Sequence, residues 1–165
     1  MGMQYDVKSF HVMAGTPTSV SANRVRLKGA IVSNSNAGVA ANVFFANNVN
    51  ISGTYSIAGT TTCTVTTSTV HGLTTGDRVW LDFTSGTGTV DNAYTVTVSS
   101  TTVFTVTTAS LTTSGNVKVY TQSLMEVDIT YSVPVCITIP GEGILAPDGI
   151  FVGTPSNIAA TVFYG

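Results

Sequence analysis

Two histidines, two cysteines and eight carboxylates are the first places to look for chemistry in this 165-residue chain. His11 and His71 stand far apart, as do Cys63 and Cys136, and no zinc-ligand spacing joins them. His71 sits in the string Val70-His71-Gly72-Leu73, where glycine can take a positive φ and the ring can hydrogen-bond locally, so a turn role is favoured. Asp77, Asp82 and Asp91 fall in a Thr-rich region whose oxygens would suit calcium. Their spacing matches no EF-hand loop, and turn or strand-edge roles are favoured instead. Gly86-Thr87-Gly88 and Gly141-Glu142-Gly143 lack the following helix that a phosphate loop requires. There is no Gly-x-Ser-x-Gly elbow, and no pair of carboxylates stands out as a glycosidase dyad. The expectation is a protein without catalytic, cofactor-binding or metal-binding residues, and not an enzyme.

The charges are more informative. Arg24, Arg26 and Lys28 are half of the six basic residues and alternate along one strand-like stretch. The favoured reading is a solvated strand face, with Asp6, Glu126 or Asp128 as cross-strand partners. The other reading is a docking stripe for an acidic surface. Trp80, the only tryptophan, alternates with Val79 and Leu81 and shares a strand face with Arg78 and Asp82. Such an outward aromatic is either a contact residue or a cover for the end of its module. Arg24, Arg26, Lys28 and Trp80 are thus the candidate interface residues.

Charged residues make up 8% of the chain, against a norm of about 25%. So little charge protects a free monomer poorly against association, which suits a homo-oligomer or a part of a larger assembly. A net charge of −2 argues against a nucleic-acid partner. The polar start MGMQYDVKS has no apolar core of a signal peptide, and no apolar run reaches membrane-spanning length, so no membrane partner is expected. The sequon Asn50-Ile51-Ser52 carries little weight without a secretory signal. Cys63 and Cys136 are expected as two buried free thiols, with a disulfide between them disfavoured.

These residues must be positioned by strands. Period-two alternation dominates, and no helical stripe persists for three turns. Met3, Tyr5 and Val7 share one face, Val25 and Leu27 another, and Val127, Ile129 and Tyr131 a third. Val133, Val135, Ile137 and Ile139 continue the pattern, with Pro134 marking an edge or bulge, and Val162 and Tyr164 close it. Residues 39–45 form a continuous apolar run, as in a strand buried on both faces. Between residues 57 and 119 roughly a third of the chain is Thr, which favours strands, and the composition changes at both ends. Strands are expected there near 63–67, 78–83, 93–98, 103–107 and 117–120. The predicted architecture is all-β: a discontinuous, jelly-roll-like β-sandwich from residues 1–56 and 120–165, with an inserted small β-barrel at 57–119.

The string HGLTTGDRVWLDFTSGTG at 71–88, with YTVTVSSTTVFTVTT at 94–108, resembles a small β module of bacteriophage virion proteins. That module is similar to the first catalytic cysteine half-domain of ubiquitin-activating enzymes. No adenylation motif or catalytic cysteine context accompanies it here, so only the barrel is implied. The flanks MQYDVKSF, RVRLKGAIV and IPGEGILAPDGIFV resemble short all-β virion proteins of tailed phages. The resemblance implies a virion structural protein, most simply a capsid decoration or cement protein. Its partner would be the major capsid protein or another virion protein, and it would work as a homotrimer without cofactors. A tail or head–tail component is the alternative, and a virion-surface carbohydrate-binding module a further one.

Overall fold

The structure is a computed structural model that describes residues 7–36, 39–130 and 132–165, and it contains strands and no helix among them. The chain first forms β1 (Lys8–Val12), β2 (Thr18–Ser21), β3 (Val25–Asn34) and β4 (Ala41–Asn47). Next come β5 (Asn50–Thr67), β6 (Arg78–Phe83), β7 (Asn92–Thr95), β8 (Thr97–Val98) and β9 (Val103–Tyr120). It ends with β10 (Ser123–Ile129), β11 (Val135–Thr138), β12 (Ile144–Ala146), β13 (Ile150–Gly153) and β14 (Ile158–Tyr164). The expected face of Met3 and Tyr5, and the position of Tyr131, lie outside the described residues.

Two compact units emerge, one from Met1–Asn48 with Leu124–Gly165 and one from Val49–Ser123. The first is a two-layer antiparallel sandwich. One sheet has the order β1-β14-β3-β11, with β12 also paired to β3, and the other has the order β10-β4-β13-β2. Position for position the two sheets hold sequence neighbours: β1 and β2, β14 and β13, β3 and β4, β11 and β10. A long hairpin rolled into two layers gives this order, which is that of a jelly roll. The late strands β13 and β14 each sit between early ones, so neither flank of the insert could complete a sheet alone.

Alternation explains the core. Register sets Ala30 opposite Val162 and Val32 opposite Ala160. These four are buried with Leu27 and Ile158 against Val43, Phe45, Ile150 and Val152 of the other sheet. β4 is buried on both faces, as its continuous apolar run implies: Val43, Phe44, Phe45 and Ala46 are all fully buried. Pro134 directly precedes β11, which ends its sheet, as expected of proline at an edge. Asn34 is the polar hub of this unit. Its buried amide donates to the carbonyls of Val39 (2.9 Å) and Ile129 (3.3 Å) and accepts from the Asn36 amide (2.8 Å) and Asn157 Nδ2 (3.0 Å).

The second unit corrects the expected barrel. It is a curled five-stranded sheet in the order β5-β9-β6-β7, with β8 on β9, and it does not close. Five short strands were expected, but the Thr-rich tract builds two 18-residue strands, β5 and β9, paired along their length. The segments 103–107 and 117–120 are the two ends of β9, and 63–67 is the end of β5. Register shifts between Ala58 and Thr60 and between Thr60 and Thr62 let the ribbon bend without breaking. One end of β9 pairs with β6 and the other with β8, and only Val96 separates β8 from β7. The sheet therefore curls over a core of Tyr55, Ile57, Val65, Leu81, Phe104 and Val119, and just past the end of β5 the Ser68 amide donates to the Ser52 carbonyl near its start at 2.9 Å.

The boundaries expected at 57 and 119 fall inside β5 and β9, and the compact unit starts at Val49 and ends at Ser123. Because each unit has its own core, removing residues 49–123 and joining Asn48 to Leu124 through a short Gly-Ser link should leave one cooperative thermal transition. Its loss, followed by circular dichroism, would contradict this modularity.

Candidate interaction surface

His71 and the three aspartates of the insert each bond within the insert. His71 is buried in the loop after β5, and its Nδ1 accepts from the Leu73 amide at 3.0 Å. That bond places the ring proton on Nε2, which donates to the Ser100 carbonyl at 3.0 Å. The ring stands edge-on to Phe104 at 5.4 Å, and Gly72 turns the chain at φ 67°. The turn role expected of His71 is what the geometry shows. His11 makes a single exposed contact, 3.1 Å from Thr161 Oγ1.

The three aspartates are dispersed in the same way. Asp77 accepts from the Thr74 amide at 2.8 Å and donates its own amide to the Thr74 carbonyl at 3.1 Å, closing a turn. Asp82 lies 3.9 Å from Lys118, its partner across the β6–β9 ladder. Asp91 accepts from the Phe83 amide at 2.8 Å. Burial pushes its carboxyl above the usual range, the Phe83 N–H works against this, and the charge of Asp82 adds to it. No cluster of three metal-ligating side chains occurs among the described residues.

Both cysteines are free and lie in different units, but only Cys63 is buried. The expectation of two buried thiols is wrong for Cys136. It is exposed because it alternates with Ile137, and Ile137 is the one that packs on the core.

Burial holds the Cys63 thiol proton up to about 11 and the Tyr94 and Tyr120 phenols up to about 12. Unfolded, these groups would ionise near 9.0 and 10.0. The unfolded chain thus releases protons first, and the stability these groups lend is complete below pH 9 and lost as pH rises towards 12. All three lie in the Val49–Ser123 unit. Calorimetry should show its melting temperature falling steadily between about pH 9 and 11; a constant value would contradict it.

Trp80 is not an outward contact. It is fully buried, as are Val79 and Leu81 on either side. Alternation assumed one wet face, but three successive residues of β6 are fully buried, so the strand is dry on both faces there. Register places Trp80 between Ala93 and Tyr120, both buried.

The basic stripe lies on the first sheet. Arg24 is exposed just before β3, while Arg26 and Lys28 are half-buried on it. Arg26 Nη1 donates to the Gly143 carbonyl at 3.3 Å and Lys28 Nζ to the Glu142 carbonyl at 2.8 Å. Two of the three cations therefore clamp the turn between β11 and β12. The expected cross-strand partners Glu126 and Asp128 lie on β10 in the other sheet, where both accept from Asn42 Nδ2 at 3.3 and 2.9 Å. Asp6 lies outside the described residues.

What the sequence reading missed is the rest of this outer face. Register aligns His11, Thr161, Ile31 and Cys136 in one row across β1, β14, β3 and β11. The next row is Ser9, Phe163, Gly29 and Thr138, and Leu145 lies opposite Arg26. Ile31 is 38% exposed although strands flank it on both sides, so the face is open. A hint was present in Ala30-Ile31-Val32, an apolar triplet in which alternation must turn one member outward. Compared with known proteins, the chain matches no family model and no curated sequence.

Proposed function

We propose that this chain is a non-catalytic structural protein of a tailed-phage virion, a decoration or cement protein that binds and stabilises the assembled shell. The observation that carries the reading is a jelly roll of very low charge with an open, partly apolar sheet face. The jelly roll recurs in viral capsid proteins, although a fold alone does not fix a function. The resemblance of residues 71–108 and of the flanks to virion proteins points the same way. His71, Asp77, Asp82 and Asp91 each serve a turn or a strand pair, which fits a protein that works by burying surface across joints between shell subunits. In this reading it acts as a homotrimer, since a closed ring satisfies a sticky surface without open-ended growth.

Imaging and mass spectrometry of purified particles test the proposal. A copy number in the hundreds supports a shell protein. A single ring's worth of copies would replace it with the tail or head–tail reading, and absence from the particles would end it. Light scattering that finds only monomer would remove the trimer. The glycan-binding alternative is weakened because Trp80, the aromatic it would use first, is buried.

A further inference from the structure

We infer that the outer face of the β1-β14-β3-β11 sheet, centred on Ile31, Phe163 and Cys136 and rimmed by Arg26 and Lys28, is the docking surface, and that its partner is a protein surface apolar at the centre with carboxylates at the edge. The inference rests on the shell-binding reading and names the face that would bind.

A solvated sheet face normally presents polar side chains. Here the two interior strands present Ile31 and Phe163, with Leu145 beside them on β12. Gly29 lies next to Phe163 in its row, and the close approach of β11 requires glycine there: a Cβ would come within 2.4 Å of the Ile137 carbonyl. Apolar at Ile31, Phe163 and Leu145 and bounded by polar residues, this patch has the anatomy of an interface core with a polar rim.

Charge selects the partner. Register places Arg26 opposite Leu145, Lys28 directly precedes Gly29 on β3, and Arg24 lies just before the strand. Among the described residues of the same unit, only Glu142 carries a carboxylate near this rim. Glu126 and Asp128 are on the other sheet, Asp148 is bonded to Asn47, and Glu142 is in the flanking turn. A second copy meeting this face with its own would bring Arg24, Arg26 and Lys28 against the single carboxylate of Glu142, so a foreign acidic surface fits better. Such pairs set specificity and encounter rate, while the apolar centre supplies most of the binding.

Cys136 is a built-in reporter at the end of the Ile31 row, and the other cysteine, Cys63, is fully buried. The experiment is N-ethylmaleimide labelling of the free protein and of purified particles at neutral pH, with the sites read by mass spectrometry. Cys136 should label readily in the free protein and about tenfold or more slowly on particles. Ile31→Lys should keep its melting temperature and reduce particle occupancy about tenfold or more. Thr161→Lys, in the same row, serves if Ile31→Lys does not fold. Particles that contain the protein yet label Cys136 at the free rate would overturn this face and leave the virion reading standing. Normal occupancy of a folded variant would do the same. A Cys136 already protected in the free protein would assign the face to another copy of the chain and overturn the proposal. Absence of the protein from particles would remove both readings.

Discussion

Trp80→Ala is expected to destabilise the protein by about 3–5 kcal/mol, the usual cost of deleting a large aromatic from a closed site. Trp80 is fully buried, and its strand neighbours Val79 and Leu81 leave no exposed face onto which the site could relax. Its ladder partners Ala93 and Tyr120 belong to regular strands and cannot collapse into the space without breaking register. Equilibrium denaturation in urea would show the loss as a lower midpoint. A shift below about 1 kcal/mol would mean that Trp80 is a surface residue after all.

Asn34→Ala should be nearly as severe in the sandwich. The side chain is 2% exposed and makes four hydrogen bonds, to the Val39 and Ile129 carbonyls, the Asn36 amide and the Asn157 side chain. Alanine removes all four and fills none of the vacated directions. Each buried polar group left unsatisfied costs about 1–3 kcal/mol, and water can reach some of the four, so about 3 kcal/mol is expected. Asn34 ties the end of β3 to the end of β10 and to the turn before β14, so the loss should appear as one lowered cooperative transition of the sandwich. Unchanged thermal stability would show that these bonds exchange freely with water.

Much of the sandwich was legible because its cause is local. Alternation in β3 and β14, the doubly apolar run of β4 and the proline before β11 each reflect how a strand meets a core. The insert was visible as a change in composition, but its start was not. Asn50–Ala58 lacks the Thr-rich texture and looks like the flank, yet Tyr55 and Ile57 belong to the insert's core. Residues 109–115 fell between two expected strands, but the long ladder to β5 carries them as strand. Trp80 was misplaced because period two says which residues share a face and not whether either face is wet. The row of His11, Thr161, Ile31 and Cys136 was invisible for another reason: it exists only once strands from both ends of the chain have paired in register.

The position of the insert also bears on the order in which the molecule folds. β4 and β10 are neighbours in one sheet, although residues 48–122 separate them in sequence. At the base of the insert, Asn50 pairs with Tyr120, so once this unit has folded its two ends are held one ladder spacing apart. The β4–β10 pairing then has the effective span of a short hairpin. Loop-closure entropy grows as the logarithm of loop length, so this shortening favours the pairing by about 2 kcal/mol. The insert is therefore a kinetic clasp for the jelly roll. A chain whose insert forms first gathers the sandwich quickly, and one whose insert is crippled, as by Phe104→Ala, should refold its sandwich more slowly even though that unit's own core is untouched.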